Sequence, residues 1–267
     1  MNKPTTIHPM DFSHSIAGFA VGAIVGFTGV GGGSLMTPLL VLGFHVAPVT
    51  AVGTDLLYAA FTKMGGAATH GLKGTVDWRI AGRLAAGSLP GAALALLVLA
   101  HFGARGKGTD ALVSTSLGLM LLATALAIAF RGRLHEWAGR SGFGAWTARH
   151  RFAATVAAGA FLGIAVSVSS VGAGAVGVTA LLLLYPALAT ARIVGTDIAH
   201  AVPLTLAAGL GHAWFGNVDW ALLGALLLGS LPGIVLGSHF AVRLPERAVR
   251  RALAALLLLA GAKLVLH

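Results

Sequence analysis

The sequence predicts an all-α polytopic membrane protein built from two inverted repeats of about five hydrophobic segments each. Short broken or re-entrant helices are expected after glycine-rich runs. Three observations carry this prediction: an apolar composition with almost no charge, ten apolar runs, and four motifs that recur in order at one offset. Of 267 residues, 57% are hydrophobic and 10% are charged. A soluble domain carries about 25% charged residues, so a water-soluble fold is excluded. Disorder is excluded too, because it requires low hydrophobicity. Lys and Arg number 18 against 8 Asp and Glu, a surplus that suits the positive-inside rule. No cysteine is present, which removes disulfides, thiolate metal sites and cysteine nucleophiles. Met1–Ser15 has one lysine and no apolar core, so no removable signal peptide is expected.

The apolar runs fall near 15–30, 34–47, 50–72, 78–102, 109–130, 152–170, 174–189, 190–213, 219–241 and 247–265. A helix of about 20 residues crosses the hydrocarbon layer. The second and seventh runs are shorter, and each follows a glycine-rich stretch. The run Gly26 to Gly33 is too rich in glycine for a stable helix interior. Two readings fit it: close helix packing through small residues, or a break whose free N–H groups and following helix start (Ser34 as N-cap) face a site. Helix starts attract anions. Asp77-Trp78 and Asp219-Trp220 read as N-caps with interfacial tryptophans opening segments four and nine. Pro90 and Pro232 are expected to kink those segments. A basic stretch, 131–151, separates a first repeat (13–130) from a second (152–267).

Sliding the chain by 142 residues lays Val52-Gly53-Thr54-Asp55 on Val194-Gly195-Thr196-Asp197 and His70 on His212. It also lays Val76-Asp77-Trp78 on Val218-Asp219-Trp220, and Gly87-Ser88-Leu89-Pro90-Gly91 on Gly229-Ser230-Leu231-Pro232-Gly233. With a one-residue gap, Val30-Gly31-Gly32-Gly33 matches Val171-Gly172-Ala173-Gly174. Such duplication is common among secondary transporters. If all five segments cross in each half, one face collects twelve basic residues, among them Lys73, Arg79, Arg83 and the arginines from Arg131 to Arg151; the other collects four, Lys3, Arg105, Lys107 and Lys263. If the short segments are re-entrant, the split is ten against six. The first count favours inverted repeats with the 131–151 stretch in the cytoplasm and both termini outside.

The ordered set Gly29-Val30-Gly31-Gly32-Gly33 with Pro38, Ala51-Val52-Gly53-Thr54-Asp55, Gly74-Thr75-Val76-Asp77-Trp78 and Gly87-Ser88-Leu89-Pro90-Gly91 resembles the TauE/SafE sulfite exporter family of bacterial membrane transporters. The resemblance covers nearly the whole chain outside 131–151. It implies export of sulfite, a sulfonate or a related small anion across the inner membrane, coupled to protons. The second half departs from the pattern: Ser170-Val171-Gly172-Ala173-Gly174 has lost one glycine, and Tyr185-Pro186 stands for the shifted proline.

Ionisable residues within apolar segments mark pathways more often than they serve packing. Asp55, Thr62, Lys63, Thr69 and His70 share about a third of a helical circumference, and Asp197, His200, Thr205 and His212 form a matching stripe. Lys63 lies mid-segment, too deep to snorkel easily, and its repeat mate is Thr205. It either pairs with Asp55 or supplies positive charge for an anion. Asp55 either lines the path or caps segment three with Thr54. His70 and His212 are proton-relay candidates that also suit an interface, and His200 is deeper. The expected substrate-binding set is Gly31, Gly32, Gly33, Thr54, Lys63, Gly172, Gly174 and Thr196. The expected proton-coupling set is Asp55, Asp197, His200 and His212. No cofactor or metal is expected; the expected partners are a small anionic substrate and the lipid bilayer. Nucleic acid is excluded because the basic residues are dispersed among loops. An intramembrane enzyme would have only Ser167, Ser169 and Ser170 near His200 to work with, without a recognisable catalytic set. A channel would need filter chemistry that the glycine run lacks.

Overall fold

A computed structural model describes residues 12–28, 33–103, 107–140, 149–240 and 246–266. Among them ten helices follow one another: α1 (Phe12–Thr28), α2 (Gly33–Leu42), α3 (Pro48–Leu72), α4 (Trp78–His101), α5 (Lys107–Arg140), α6 (Arg151–Ser169), α7 (Ala175–Leu184), α8 (Thr190–Trp214), α9 (Trp220–Phe240) and α10 (Glu246–Leu266). Each matches one apolar run. The described residues contain no strand. Five helices are long and apolar enough, by length and composition, to cross a membrane: those at Trp78–His101, Gly108–Leu134, Arg151–Ser169, Thr190–Trp214 and Trp220–Gly237. Large apolar side chains cover their outer faces, including Leu97 and Leu228, as expected for a surface solvated by lipid.

Helix starts follow the sequence signals. Asp77 Oδ1 accepts from Arg79 N and Ile80 N at 3.2 Å each, and Asp219 Oδ1 accepts from Leu222 N at 3.0 Å. Trp78 and Trp220 are exposed beside them, where an indole suits the lipid–water boundary. Pro48 opens α3, where a missing N–H costs nothing. The α2 helix begins at Gly33, one residue before the expected cap Ser34, which lies buried in the first turn.

Packing directions follow from which residues meet. The Gly53 end of α3 lies against His212 and Asn217 beyond the end of α8, while the Gly195 end of α8 lies against His70 and Thr75 beyond the end of α3. These two helices, repeat mates in sequence, therefore run antiparallel. By contrast α1 and α9 run parallel, with Gly18 against Leu226 and Gly22 against Ser230; so do α4 and α6, with Gly159 against Leu84 and Gly163 against Ser88. The first helix of each half thus packs on the fourth helix of the other.

Those crossings explain Gly-Ser-Leu-Pro-Gly. A Cβ on Gly87 would lie 1.9 Å from the carbonyl oxygen of Val156, and one on Gly229 would lie 1.9 Å from that of Ser15. Apolar burial gives little drive between helices in lipid, so close backbone approach through small residues takes over that role. The motif is a repeated contact surface between the halves. Pro90 and Pro232 lie inside α4 and α9 next to these crossings.

Candidate functional site

The α6–α7 unit is interrupted. Helix α6 ends at Ser169, Ser170 takes a left-handed conformation (φ 58°), and Gly172 and Gly174 have φ of 124° and 133°. Glycine populates that region at no steric cost. Helix α7 then resumes for ten residues, about 15 Å, or half the hydrocarbon thickness. Its end is tied to the start of α6 by Thr155 and Tyr185, whose hydroxyls lie 2.7 Å apart. The unit is thus a hairpin whose tip reaches inward. Between α1 and α2, the chain from 29 to 32 is outside the described residues, so the expected ligands Gly31 and Gly32 fall there; Gly33 is the first residue of α2.

Asp55 of α3 meets that hairpin tip. Its Oδ2 accepts from the hydroxyl of Ser170 at 2.9 Å and from that of Thr37 in α2, while Oδ1 has no protein donor. Asp55 is 0% exposed. It therefore lies well inside the bundle and does not cap α3, and it joins both short helices to the centre.

Asp197, its repeat mate on α8, is 1% exposed, and neither carboxylate oxygen has a protein donor. Its counterpart of Thr37, Thr179, instead donates to the Ala175 carbonyl oxygen at 2.7 Å. Asp197 packs on α7 at Gly177, where a Cβ would fall 2.0 Å from Oδ1. Gly177→Ala should therefore displace the carboxylate and reduce transport at least tenfold, whereas Gly224→Ala, facing open space, should leave transport unchanged. Flux measured on purified, reconstituted variants checks both.

Lys63 lies between the two. Its ammonium donates to the Ala173 carbonyl oxygen at the hairpin tip, 3.0 Å away, and interacts electrostatically with Asp197 first and Asp55 second. Antiparallel packing and a rise of about 1.5 Å per residue put the carboxylates about 20 Å apart along the helix axes, with Lys63 nearer Asp197. No close Asp55–Lys63 ion pair occurs among the described residues, because eight residues of helix put the two about 12 Å apart along α3. Arg131, at the far end of the apolar part of α5, also acts electrostatically on Asp197.

His200 neighbours this centre. Its Nε2 lies 2.7 Å from Ser88 Oγ of α4, its Nδ1 has no protein partner, and it feels the charge of Lys63. His212 lies at the other end of α8, near Gly53. Its Nε2 donates to the Ser167 carbonyl oxygen at 2.9 Å. Thr54 and Thr196 are engaged across the halves: the Thr54 hydroxyl accepts from Asp219 N at 3.0 Å, and the Thr196 hydroxyl accepts from Asp77 N at 2.8 Å. These equivalent bonds fasten each half's third helix to the other half's fourth helix start, beside the aspartates.

The rest of the polar stripe on α3 does not line this centre. Thr62 is half-buried and donates to Tyr58 O, the exposed Thr69 donates to Gly65 O, and His70 pairs with Thr75 in the loop. Such i−4 back-bonding satisfies a hydroxyl facing lipid. Sequence reasoning missed Thr37, Ser88, Ser170 as a ligand of Asp55, Gly177 and Arg131. Each is brought in by another helix, and only the glycine-rich break pointed toward any of them.

The ten helices of the described residues, in two sequence-related halves around buried charges of both signs, describe a multi-pass membrane protein. The chain belongs to the sulfite exporter TauE/SafE family, whose model matches residues 15–264. It is 38% identical over 256 residues to a "Probable membrane transporter protein", YjnA, of Bacillus subtilis strain 168, covering 96% of this chain and all of the relative. A second such protein of the same organism, YdhB, is 30% identical over 245 residues, covering 88% of this chain and 92% of the relative. A third, from Xylella fastidiosa strain 9a5c, is 28% identical over 126 residues, 47% of each chain. No solved structure matches significantly.

Proposed function

We propose that the protein is an inner-membrane secondary transporter that exports a small anion such as sulfite or an organosulfonate, coupled to protons, by alternating access between two inverted repeats. The observation that carries this reading is Lys63, a lysine 8% exposed in the middle of α3, in contact with the tip of the interrupted α6–α7 unit and flanked along the helix axes by two enclosed carboxylates. A buried ammonium without a close ion pair is an attractive centre for an anion. The peptide groups of an interrupted backbone add donors that lipid cannot supply. In this reading Lys63 and the backbone of Gly172–Gly174 hold the anion, Gly31, Gly32 and Gly33 are the candidates from the first half, and Thr54 and Thr196 act by fastening the two halves beside the aspartates.

Antiparallel packing of the repeat mates α3 and α8 supports inverted repeats, the arrangement in which rocking one half against the other exposes a midplane site alternately. Asp55 and Asp197 are 0% and 1% exposed, so alternating access would have to open the bundle to bring either carboxylate into contact with water. Asp55, Asp197, His200 and His212 are the proton-coupling groups. Asp197, with no protein donor on either oxygen, is the group most open to exchange. Asp197→Asn should make flux insensitive to a pH gradient while leaving gradient-free exchange within about threefold; unchanged coupling would place proton handling elsewhere.

The test is flux of sulfite, an alkylsulfonate and a small carboxylate in proteoliposomes. A transporter gives saturable flux accelerated by a pH gradient. Non-saturating flux would indicate a channel, and turnover of the solute without net movement would indicate an enzyme; either result would overturn the proposal.

A further inference from the structure

A second basic site lies at one face of the molecule, separate from the Lys63 centre. The starts of α4 and α6 and the loop between α7 and α8 surround a cavity of about 290 Å³, lined by Asp77, Arg79, Arg83, Arg151, Tyr185 and Leu188 among others. Three guanidinium groups converge on it. The one carboxylate lining it is already engaged: Asp77 Oδ1 caps α4, and Oδ2 lies 3.5 Å from Arg192. Among the described residues, Arg79, Arg83 and Arg151 have no carboxylate at ion-pair distance.

Two of these arginines are held in place by rings. Arg83 stands over Phe152 with 5.8 Å to the centroid, and Arg151 stands over Tyr185 at 5.7 Å. Tyr185 is itself fixed by its bond with Thr155. Stacking of this kind orients a guanidinium and leaves its N–H edge free to bind. Three like charges gathered around one concavity repel one another, and an anion with several oxygens relieves that repulsion through charge-assisted, bidentate bonds.

Repeat symmetry shows that the cluster is specific. The positions equivalent to Arg79, Arg83 and Arg192 are Ala221, Ala225 and Thr50, and Gly43 occupies the place of Tyr185. Each change removes a cation or its support from the equivalent place in the other half. A general basic bias toward one membrane face would scatter arginines among loops. Here they converge, with ring supports, on one hollow.

We propose that this cavity binds an oxyanion at the membrane boundary, either the phosphate headgroup of an anionic lipid or a free oxyanion from solution. Basic pockets between membrane helices commonly take anionic headgroups. The site is independent of the transport reading and would stand if that reading failed.

The experiment uses the purified full chain in detergent, with two probes. One arm measures retention of cardiolipin against phosphatidylcholine by native mass spectrometry; the other measures binding of inorganic phosphate and sulfite by equilibrium dialysis. The double variant Arg83→Gln/Arg151→Gln should lose at least tenfold in one arm. Arg133→Gln, an arginine that does not line the cavity, should change it less than twofold. Loss in the lipid arm identifies a headgroup site, and loss in the dialysis arm a site for a soluble anion. If the double variant does not fold, the exposed Arg79→Gln replaces it, with at least a threefold loss expected. Equal retention of cardiolipin and phosphatidylcholine without oxyanion binding, or equal effects of the cavity variants and Arg133→Gln, would overturn the proposal.

Discussion

Replacing Lys63 by Gln is expected to reduce anion flux at least tenfold while the protein still inserts and melts within a few degrees of the parent. A unit negative charge about 4 Å from an ammonium gains about 4 kcal/mol at an effective dielectric of about 20. Even after desolvation removes half of that, the remainder exceeds the 1.4 kcal/mol that corresponds to a factor of ten. Stability should change little, because the ammonium makes one bond to a backbone carbonyl and its removal also removes the cost of enclosing a charge. Lys63→Arg retains the charge and should restore part of the flux. Reconstituted flux, compared with melting in the same detergent, checks the pair; full activity in Lys63→Gln would remove this residue from the anion site.

Replacing Gly87 or Gly229 by Leu is expected to prevent assembly of the two halves. At either position a Cβ would overlap a carbonyl oxygen of the facing helix at 1.9 Å. Backbone on both sides cannot yield by rotamer change, so the helices must separate along their whole contact. Overpacking already costs about 1–3 kcal/mol where side chains can adjust, and here the loss should be several kcal/mol, seen as aggregation or loss of the monodisperse peak in detergent. Gly82→Ala has open space around it and should be neutral or slightly stabilising, since alanine is the better helix former by about 1 kcal/mol. The contrast separates crossing glycines from incidental ones.

Much of the architecture is written in the chain because lipid demands it. Backbone groups must be satisfied within each segment, so every apolar run becomes a helix, and Asp77 and Asp219 mark starts by the capping chemistry that soluble helices use. The break at 170–174 is hinted at in the sequence by Gly172 and Gly174, which tolerate the positive φ that the structure then shows there. The crossings were harder to see. Gly18 and Gly22, Gly159 and Gly163, and the two Gly-Ser-Leu-Pro-Gly motifs are all spaced by four, which is the small-residue contact pattern. Attention to the denser run Gly26–Gly33 hides them.

The aspartates and Lys63 stand out because charge in an apolar run is costly, but their partners do not. Thr37 and Ser170 look like ordinary polar residues, and only the packing of α2 and of the α6–α7 hairpin tip against α3 brings them to Asp55. The α3 stripe misleads for a related reason. Periodicity shows which residues share a face, yet Thr62 and Thr69 bond their own helix and can tolerate lipid.

The account rests on the two halves facing opposite ways across the membrane, and the absence of cysteine from the chain makes that measurable. Lys73 and Phe215 occupy equivalent positions in the two repeats, in the loops after α3 and α8. Single variants Lys73→Cys and Phe215→Cys should react with a membrane-impermeant maleimide from opposite faces: Phe215→Cys in intact cells, Lys73→Cys in inside-out vesicles. Labelling of both from the same face would mean parallel repeats and would contradict the account.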